Sequence, residues 1–266
     1  MLAAIGLFIG AFGTLIGVAG GFLLVPILLF LYPDESPSML TSITLTVAFF
    51  NSLSGSIAYT RLKRIDFRSG LLFALTAVPG AIIGAYLINY LNRDVFQYVF
   101  GTVLFIVSVY LLVRPGKKMT GGILLKWQTS RRITDRQNNV HSYSYNLPLG
   151  MVIAFFVGIV AGLLGIGGGI IHVPALTQVL GFPAHIATAT SHFLVAITTF
   201  SAIGTHLVDR SFFTINYGVA AVLAAGVVIG AQFGAILSQK VTGVLIVRLL
   251  AMGLAIVALR LLIAPF

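Results

Sequence analysis

The sequence predicts an all-α integral membrane protein of eight transmembrane helices, arranged as two homologous four-helix repeats with glycine breaks in helices one and five. Three observations carry this expectation. Of 266 residues, 58% are hydrophobic and only 8% charged, against about a quarter charged in an ordinary soluble domain. Stretches 1–33, 36–60, 69–92, 95–113, 137–208 and 211–239 hold no Asp, Glu, Lys or Arg; each approaches or exceeds the ~20 residues that cross a hydrocarbon core. A glycine cluster occurs twice, as Gly10, Gly13, Gly17, Gly20 and Gly21 with Pro26, and as Gly158, Gly162, Gly165, Gly167, Gly168 and Gly169 with Pro174.

The first predicted helix, 2–31, runs 30 residues without a charge. At 1.5 Å per residue it would measure ~45 Å against the ~30 Å of a hydrocarbon core. It must tilt, protrude or break, and Gly17, Gly20 and Gly21 weaken its middle by about 1 kcal/mol each relative to alanine. Helix two, 38–60, is dense in hydroxyls: Thr41, Ser42, Thr44, Thr46 and Ser52, with Asn51 among them. Helix three, 69–91, carries Gly80 and Gly84, the small-xxx-small spacing that lets membrane helices approach closely; helix four, 95–113, closes the first unit.

Residues 115–146 form a polar, basic linker between units 1–114 and 147–266, with Gly121-Gly122 as breakers and Trp127 beside Lys126 as a headgroup-level anchor. Helix five, 147–180, breaks at Gly165 to Gly169, and Pro174 removes a further backbone donor. Helix six, 184–208, repeats the hydroxyls with Thr188, Thr190, Ser191, Thr198, Thr199 and Ser201, and adds His192 and His206. Helices seven and eight follow at 212–238 and 242–264, the former with Gly230 and Gly234. A shift of 148 to 150 residues pairs Thr41-Ser42 with Thr190-Ser191, Gly55 with Gly204, and Arg61 with Arg210.

If every helix crosses once, one face collects Arg61, Lys63, Arg64, Arg68, the basic linker and Arg210, leaving little beyond Arg93 and Lys240 opposite. The positive-inside rule makes the first face cytoplasmic, with the N- and C-termini on it. Four crossings per unit would relate the units by an axis along the membrane normal; a broken segment turning back on itself would invert them and set Arg61 to Arg68 opposite the large basic loop, so the parallel arrangement is the expected one. The expected location is the cytoplasmic membrane, multi-pass, with a homodimer left open as an oligomeric state.

The net charge of +10 lies in loops beside spans and suits anionic headgroups, not nucleic acid, since no groove-reading or base-stacking motif accompanies it. There is no cysteine. No His pair has i, i+4 spacing and no acid joins the histidines, so no metal site or cofactor is expected. The glycine runs lack the Gly-Lys-Ser/Thr ending of a phosphate loop. Ser191 and His192 project about 100° apart on a helix, which disfavours a catalytic dyad; the chain reads as a non-enzyme.

A mid-membrane break frees the first amides of the following half-helix, whose N–H groups and positive dipole end suit an oxyanion. The expected substrate-binding set is Gly20, Gly21, Thr41, Ser42, Asn51, Gly167, Gly168, Gly169, His172, Thr190, Ser191 and His192. His172 or His192 is the candidate for coupling a proton, since no carboxylate lies at mid-membrane. The competing fate of such hydroxyls is a bond back to their own helix.

These residues resemble those of the TauE/SafE family of sulfite exporters: a G-x-x-G-x-G-G-G-x-x-x-x-P-x-L segment on Gly162 to Leu176, its weaker counterpart on Gly17, Gly20, Gly21 and Pro26, a Thr-Ser pair in the next helix, and a G-x-x-x-G third helix. The first copy departs at Val18-Ala19, where the second reads Ile166-Gly167. The resemblance implies a secondary transporter, in the export direction, of small sulfur-containing oxyanions such as sulfite or organosulfonates, moved by alternating access. An anion channel, or a carrier of small carboxylates or other anions, is the alternative reading.

Overall fold

Backbone polar groups have no water to bond in a bilayer core, so the apolar stretches fold almost entirely as helix. The computed structural model describes residues 2–113, 127–208 and 217–263, with side chains described up to Thr205 and again from Gly218 around the second gap. Its helices are α1 (Leu2–Ile16), α2 (Gly21–Leu31), α3 (Pro37–Arg61), α4 (Phe67–Leu87), α5 (Arg93–Val113), α6 (Leu147–Leu164), α7 (Gly169–Pro174), α8 (Ala184–Val208), α9 (Tyr217–Leu237) and α10 (Gly243–Ile263). Two strands, β1 (Gln128–Thr134) and β2 (Val140–Asn146), lie between α5 and α6. Among the described residues seven helices are long and apolar enough to cross a membrane, and three apolar helices are shorter. Arg210, Asp209, the stretch Ile123 to Lys126 and the side chain of His206 lie outside the described residues.

Neither glycine-broken segment runs on across the bilayer, as the expectation of eight single crossings required. After the first break the chain turns back along α1: Leu23 and Ile27 line one groove with Ala4, Ile5, Phe8 and Ile9, and Gly20 sits against Ile9. After the second, Leu180 returns to Gly150 near the start of α6, and Phe182 stacks among Tyr143, Tyr145 and Phe73. Both segments are therefore re-entrant helical hairpins. The reason is packing on partners remote in sequence, α1 on α9 and α6 on α4, which a continuing helix would have to leave.

The two hairpins enter from opposite faces. The α3–α4 loop, the α7–α8 loop and the strand pair share one face, where Arg61, Lys63, Arg64, Arg68, Arg131, Arg132 and Arg136 also lie. Leu2 and Ile263 lie on the other face, with Arg93, which bonds the carbonyls of Leu29, Tyr32 and Glu35. Two expectations thereby change. The ends of α1 and α10 are not on the face of the basic loops, and the C-terminal end of α8, which precedes Arg210, is not either. Each re-entrant segment removes one crossing: relative to the basic loops, the first moves the start of α1 to the other face, and the second moves the end of α8 and the end of α10 there.

Glycines set the closest approaches. Gly6 and Gly10 of α1 face the backbone of α9 at Leu223 and Val227, while Gly230 and Gly234 return the approach on Leu7 and Ala11. The same pattern joins Gly158 and Gly162 of α6 to Ala77 and Ala81 of α4, with Gly80 and Gly84 meeting Phe155 and Ile159. A Cβ at any of these would land on a carbonyl of the partner helix, which no side-chain rotamer relieves. α3 packs against α8 and α5 against α10, each antiparallel.

The polar linker holds more structure than its composition suggested. Its strands pair antiparallel from Gln128↔Asn146 to Thr134↔Val140, closed by a turn in which Asp135 Oδ1 accepts from the amides of Gln137 and Asn139. Ile133, Tyr143 and Tyr145 give its inward face. It is fixed to the bundle at Asp66, whose carboxylate takes two bonds from Arg131 at 3.1 and 2.8 Å and one from the Tyr143 hydroxyl at 2.7 Å. Trp127, preceding β1, is 76% exposed, as an interfacial anchor would be.

Gly84→Leu and Gly162→Leu should each lower stability by at least about 1–3 kcal/mol through overpacking, read as loss of the thermal transition in detergent, while Gly204→Ala, where a Cβ meets nothing within 4 Å, should be neutral. Burial pushes the Asp66 carboxyl up, but Arg131, Ser69 and Tyr143 outweigh it and hold it below the usual carboxylate range. A depressed carboxylate stabilises fully above its unfolded pKa and loses that contribution as pH falls through its folded value. Amide exchange in β1 and β2 should accordingly be slow at neutral pH and accelerate below the ordinary carboxylate range; Asp66→Asn should make it fast throughout.

Candidate functional site

Each re-entrant tip is built by the same three positive-φ positions. They are Gly17, Ala19 and Gly20 (φ +88, +57 and +74°) in the first, and Gly165, Gly167 and Gly168 (φ +68, +73 and +81°) in the second. Ala19 adopts the left-handed region where the second tip has Gly167, at a cost of about 1 kcal/mol, so the first break is as complete as the second despite its departure from the motif. Beyond each break one carbonyl starts the returning helix. Gly20 accepts from the amides of Leu23 and Leu24, and Gly168 from those of Ile171 and His172. The amides of Gly20, Gly21, Phe22, Gly168, Gly169 and Ile170 have no acceptor among the described residues.

The tips meet each other near the middle of the bundle. A Cβ at Gly21 would stand 2.8 Å from the Ile166 Cα, and one at Gly169 would stand 2.6 Å from the Val18 Cα. Gly17 packs on Val173 and Thr188, and Gly165 on Thr41 and Thr44. Two sets of bare peptide donors thus lie back to back, with no Asp, Glu, Lys or Arg in either tip. Their partial positive charge is uncompensated.

The predicted side chains divide into three groups. Ser191, His192 and Asn51 converge on the first tip: Ser191 Oγ donates to the Gly17 carbonyl at 3.0 Å, and Thr14 Oγ1 donates to Asn51 Oδ1 at 3.0 Å while lying 3.2 Å from His192 Nε2. Thr14 Oγ1 thus bridges the Asn51 amide and the His192 ring. Gly55 leaves room for that ring. His172 is placed beside Gly168 of the second tip, 2% exposed, with neither ring nitrogen partnered among the described residues.

Thr41 is brought against Gly165 of the second tip in position but not in chemistry, since its hydroxyl, like that of Ser42, donates to the Ser38 carbonyl of its own helix. Thr190 lies away from both tips and accepts from the Asp66 amide at 3.0 Å. Two residues that the sequence reading left out support the first tip: Thr14, and Tyr59, whose hydroxyl donates to the Thr14 carbonyl at 2.7 Å. Their only signal was spacing, three residues before Gly17 and four after Gly55. Around the tips Asn51 Nδ2 and Thr188 Oγ1 are buried without partners, alongside the His172 ring. Buried polar groups in membrane proteins are normally satisfied, so a cluster of orphan donors at two bare helix ends is the mark of a site for a polar, negatively charged guest.

The sequence model of the sulfite exporter TauE/SafE family matches residues 2–261. The chain belongs to the TauE/SafE family. It is 32% identical over 271 residues to the probable membrane transporter protein YunE of Bacillus subtilis, covering 98% of this chain and 96% of that protein. A probable membrane transporter protein of Methanocaldococcus jannaschii is 22% identical over 253 residues, covering 91% of this chain and 87% of its own. YjnA of Bacillus subtilis, also a probable membrane transporter protein, is 25% identical over 243 residues, covering 88% of each. No solved structure matches at a significant level. The chain is thus a multi-pass membrane protein of a transporter family, and the glycine clusters at Gly17 to Gly21 and Gly165 to Gly169 are the sequence that forms the re-entrant tips.

Ser191→Ala should leave the buried Gly17 carbonyl unpaired and cost about 1–3 kcal/mol, whereas Thr41→Val, which removes a bond within one helix, should cost less. Thermal melts of the two purified variants in the same detergent would rank them, and equal melts would show that Ser191 does not hold the tip.

Proposed function

We propose that the chain is a secondary transporter of small sulfur-containing oxyanions, such as sulfite or organosulfonates, working by alternating access with the two tips as the shared site. The observation that carries this reading is the back-to-back meeting of two amide-rich, charge-free tips at mid-bundle. Bare amides suit a small oxyanion with several acceptor oxygens; the sulfur chemistry comes from the family description. Units 1–114 and 147–266 are read as homologous repeats of inverted topology, each contributing one hairpin and three crossing helices. Their reciprocal contacts, Gly21 on Ile166 and Gly169 on Val18, fit that relation. With the basic face cytoplasmic, Leu2 and Ile263 lie outside the cytoplasmic membrane.

Alternating access then follows from the packing. In the described arrangement the tips press on one another, so neither set of amides is open, and an anion reaches them when one hairpin shifts relative to the other. His172, unpartnered beside the second tip, is the residue placed to carry a coupling proton with the anion.

Sulfite uptake into proteoliposomes holding the purified protein should saturate and show counterflow. Asn51→Leu and His172→Phe should each reduce it by about tenfold or more, the worth of one buried bond to a charged group, with insertion unchanged. Non-saturable conductance would make the protein a channel; counterflow with small carboxylates but not with sulfite would move the substrate class; unaltered flux in both variants would remove these side chains from the site.

A further inference from the structure

Outside the tips, one charged group is buried without the partners that burial demands. Arg64 follows the left-handed turn at Lys63 (φ +55°) after α3, and its side chain is only 5% exposed. Its guanidinium makes no hydrogen bond among the described residues, and Nη1 is fully buried and unpartnered. Its one ion pair, Nη2 to Asp135 Oδ2, spans 3.6 Å, beyond hydrogen-bond length. A buried guanidinium with one long ion pair and no hydrogen bond is costly, and a structural arginine would be expected to bond carbonyls, as Arg93 does three times.

Asp135 is not available to serve Arg64 better. Oδ1 already accepts from the amides of Gln137 and Asn139, and Oδ2 from Asn139 Nδ2 and, at 3.5 Å, lies against His141 Nε2. Burial pushes this carboxyl up, but the Asn139, His141 and Gln137 donors outweigh it and hold it ionised. It belongs to the turn between β1 and β2 and lends Arg64 only proximity. His185, at the start of α8, is within electrostatic range of Arg64, His141 and Asp135, and its Nδ1 is buried without a partner. Arg64 also lies within range of Tyr59, whose hydroxyl holds the first tip at Thr14. The Arg64 amide donates to the Tyr59 carbonyl at 3.2 Å, so the residue lies on the basic face about one turn from the side chain that holds that tip.

We infer that Arg64 is an anion-receiving site at the mouth of the pathway on the basic face, with Asp135 as its weak, displaceable counter-ion, from which a small oxyanion passes to the first tip. A guanidinium offers a planar fork of N–H donors that matches two oxygens of a sulfite, sulfonate or sulfate group. Fixed charge from Arg61, Lys63 and Arg136 on the same face concentrates anions there. The inference rests on the tip reading for its substrate class.

The test is sulfite flux across oriented proteoliposomes, with half-saturation measured separately from each face. Arg64→Gln should raise half-saturation from the basic face by about tenfold or more, the loss of a charge-assisted bond, and leave the other face unchanged. Asp135→Asn keeps the acceptor for the turn amides but removes the competing charge, and should lower half-saturation on the basic face by about threefold. The opposite signs separate a binding role from a structural one, and the second variant stands even if the first fails to fold. Equal effects at both faces, or a weaker anion affinity in Asp135→Asn, would overturn the Arg64 site while leaving the tips as the transport site. If the unaltered protein neither transports sulfite nor is stabilised by sulfite or sulfate in a thermal melt, the tip reading falls, and the Arg64 site falls with it.

Discussion

The structure depends on how backbone amides are satisfied where there is no water. An α-helix consumes its own donors except at its ends, and those ends normally sit in the interface, where water or headgroups complete them. Here two helix starts, at Gly21 and Gly169, are buried at mid-bundle. Such ends are tolerated only in protein or in a polar cavity, and this chain gives them protein that lacks acceptors. The other features of the fold follow from keeping those two ends together. Glycines at every fourth residue bring α1 onto α9 and α6 onto α4, and the reversal at each tip returns the chain to the face it came from.

What could be read from sequence was local, and what could not was remote. The clusters at Gly17 to Gly21 and Gly165 to Gly169 announce a break because several adjacent glycines exceed what close packing needs. They do not announce the direction taken afterwards. A continuing helix and a reversing one use the same left-handed residues and the same apolar flanks, and the choice is made by α9, more than 200 residues beyond α1. Two misjudged directions, one at each tip, then took the ends of α1 and α10 and the C-terminal end of α8 off the face of the basic loops, while the α3–α4 loop and the linker kept their common side.

The site shows the same division. Thr41, Ser42 and Thr190 stood out because both halves keep them, yet a hydroxyl on a helix can be consumed by the carbonyl three or four residues earlier, and Thr41 and Ser42 are consumed by Ser38. Ser191 and Asn51 do reach a tip, and only the crossing of α8 against α3 and α1 decides that. The strand pair at 128–146 was hidden for another reason: Ile133, Tyr143 and Tyr145 alternate as a strand should, but the surrounding charge and polarity read as linker. Its anchor, Asp66, lies more than 60 residues before it in the chain.

Ser191 and His192, beside Thr190, were weak candidates for a catalytic dyad, because neighbours on a helix project about 100° apart. That divergence is what lets them act in series. Thr190 takes the Asp66 amide, and Asp66 holds the strand pair through Arg131 and Tyr143. Ser191 holds the carbonyl of Gly17, and His192 reaches Thr14 on the limb leading to that tip. One turn of α8 therefore joins the strand pair on the basic face to the first tip. A displacement of the strand pair must break the Asp66 bonds or drag α8 with it. A displacement of α8 must release the Gly17 carbonyl or carry the tip along. With the glycine contacts that seat α1 on α9, the strand pair, α8 and the first tip are thus joined as one connected unit.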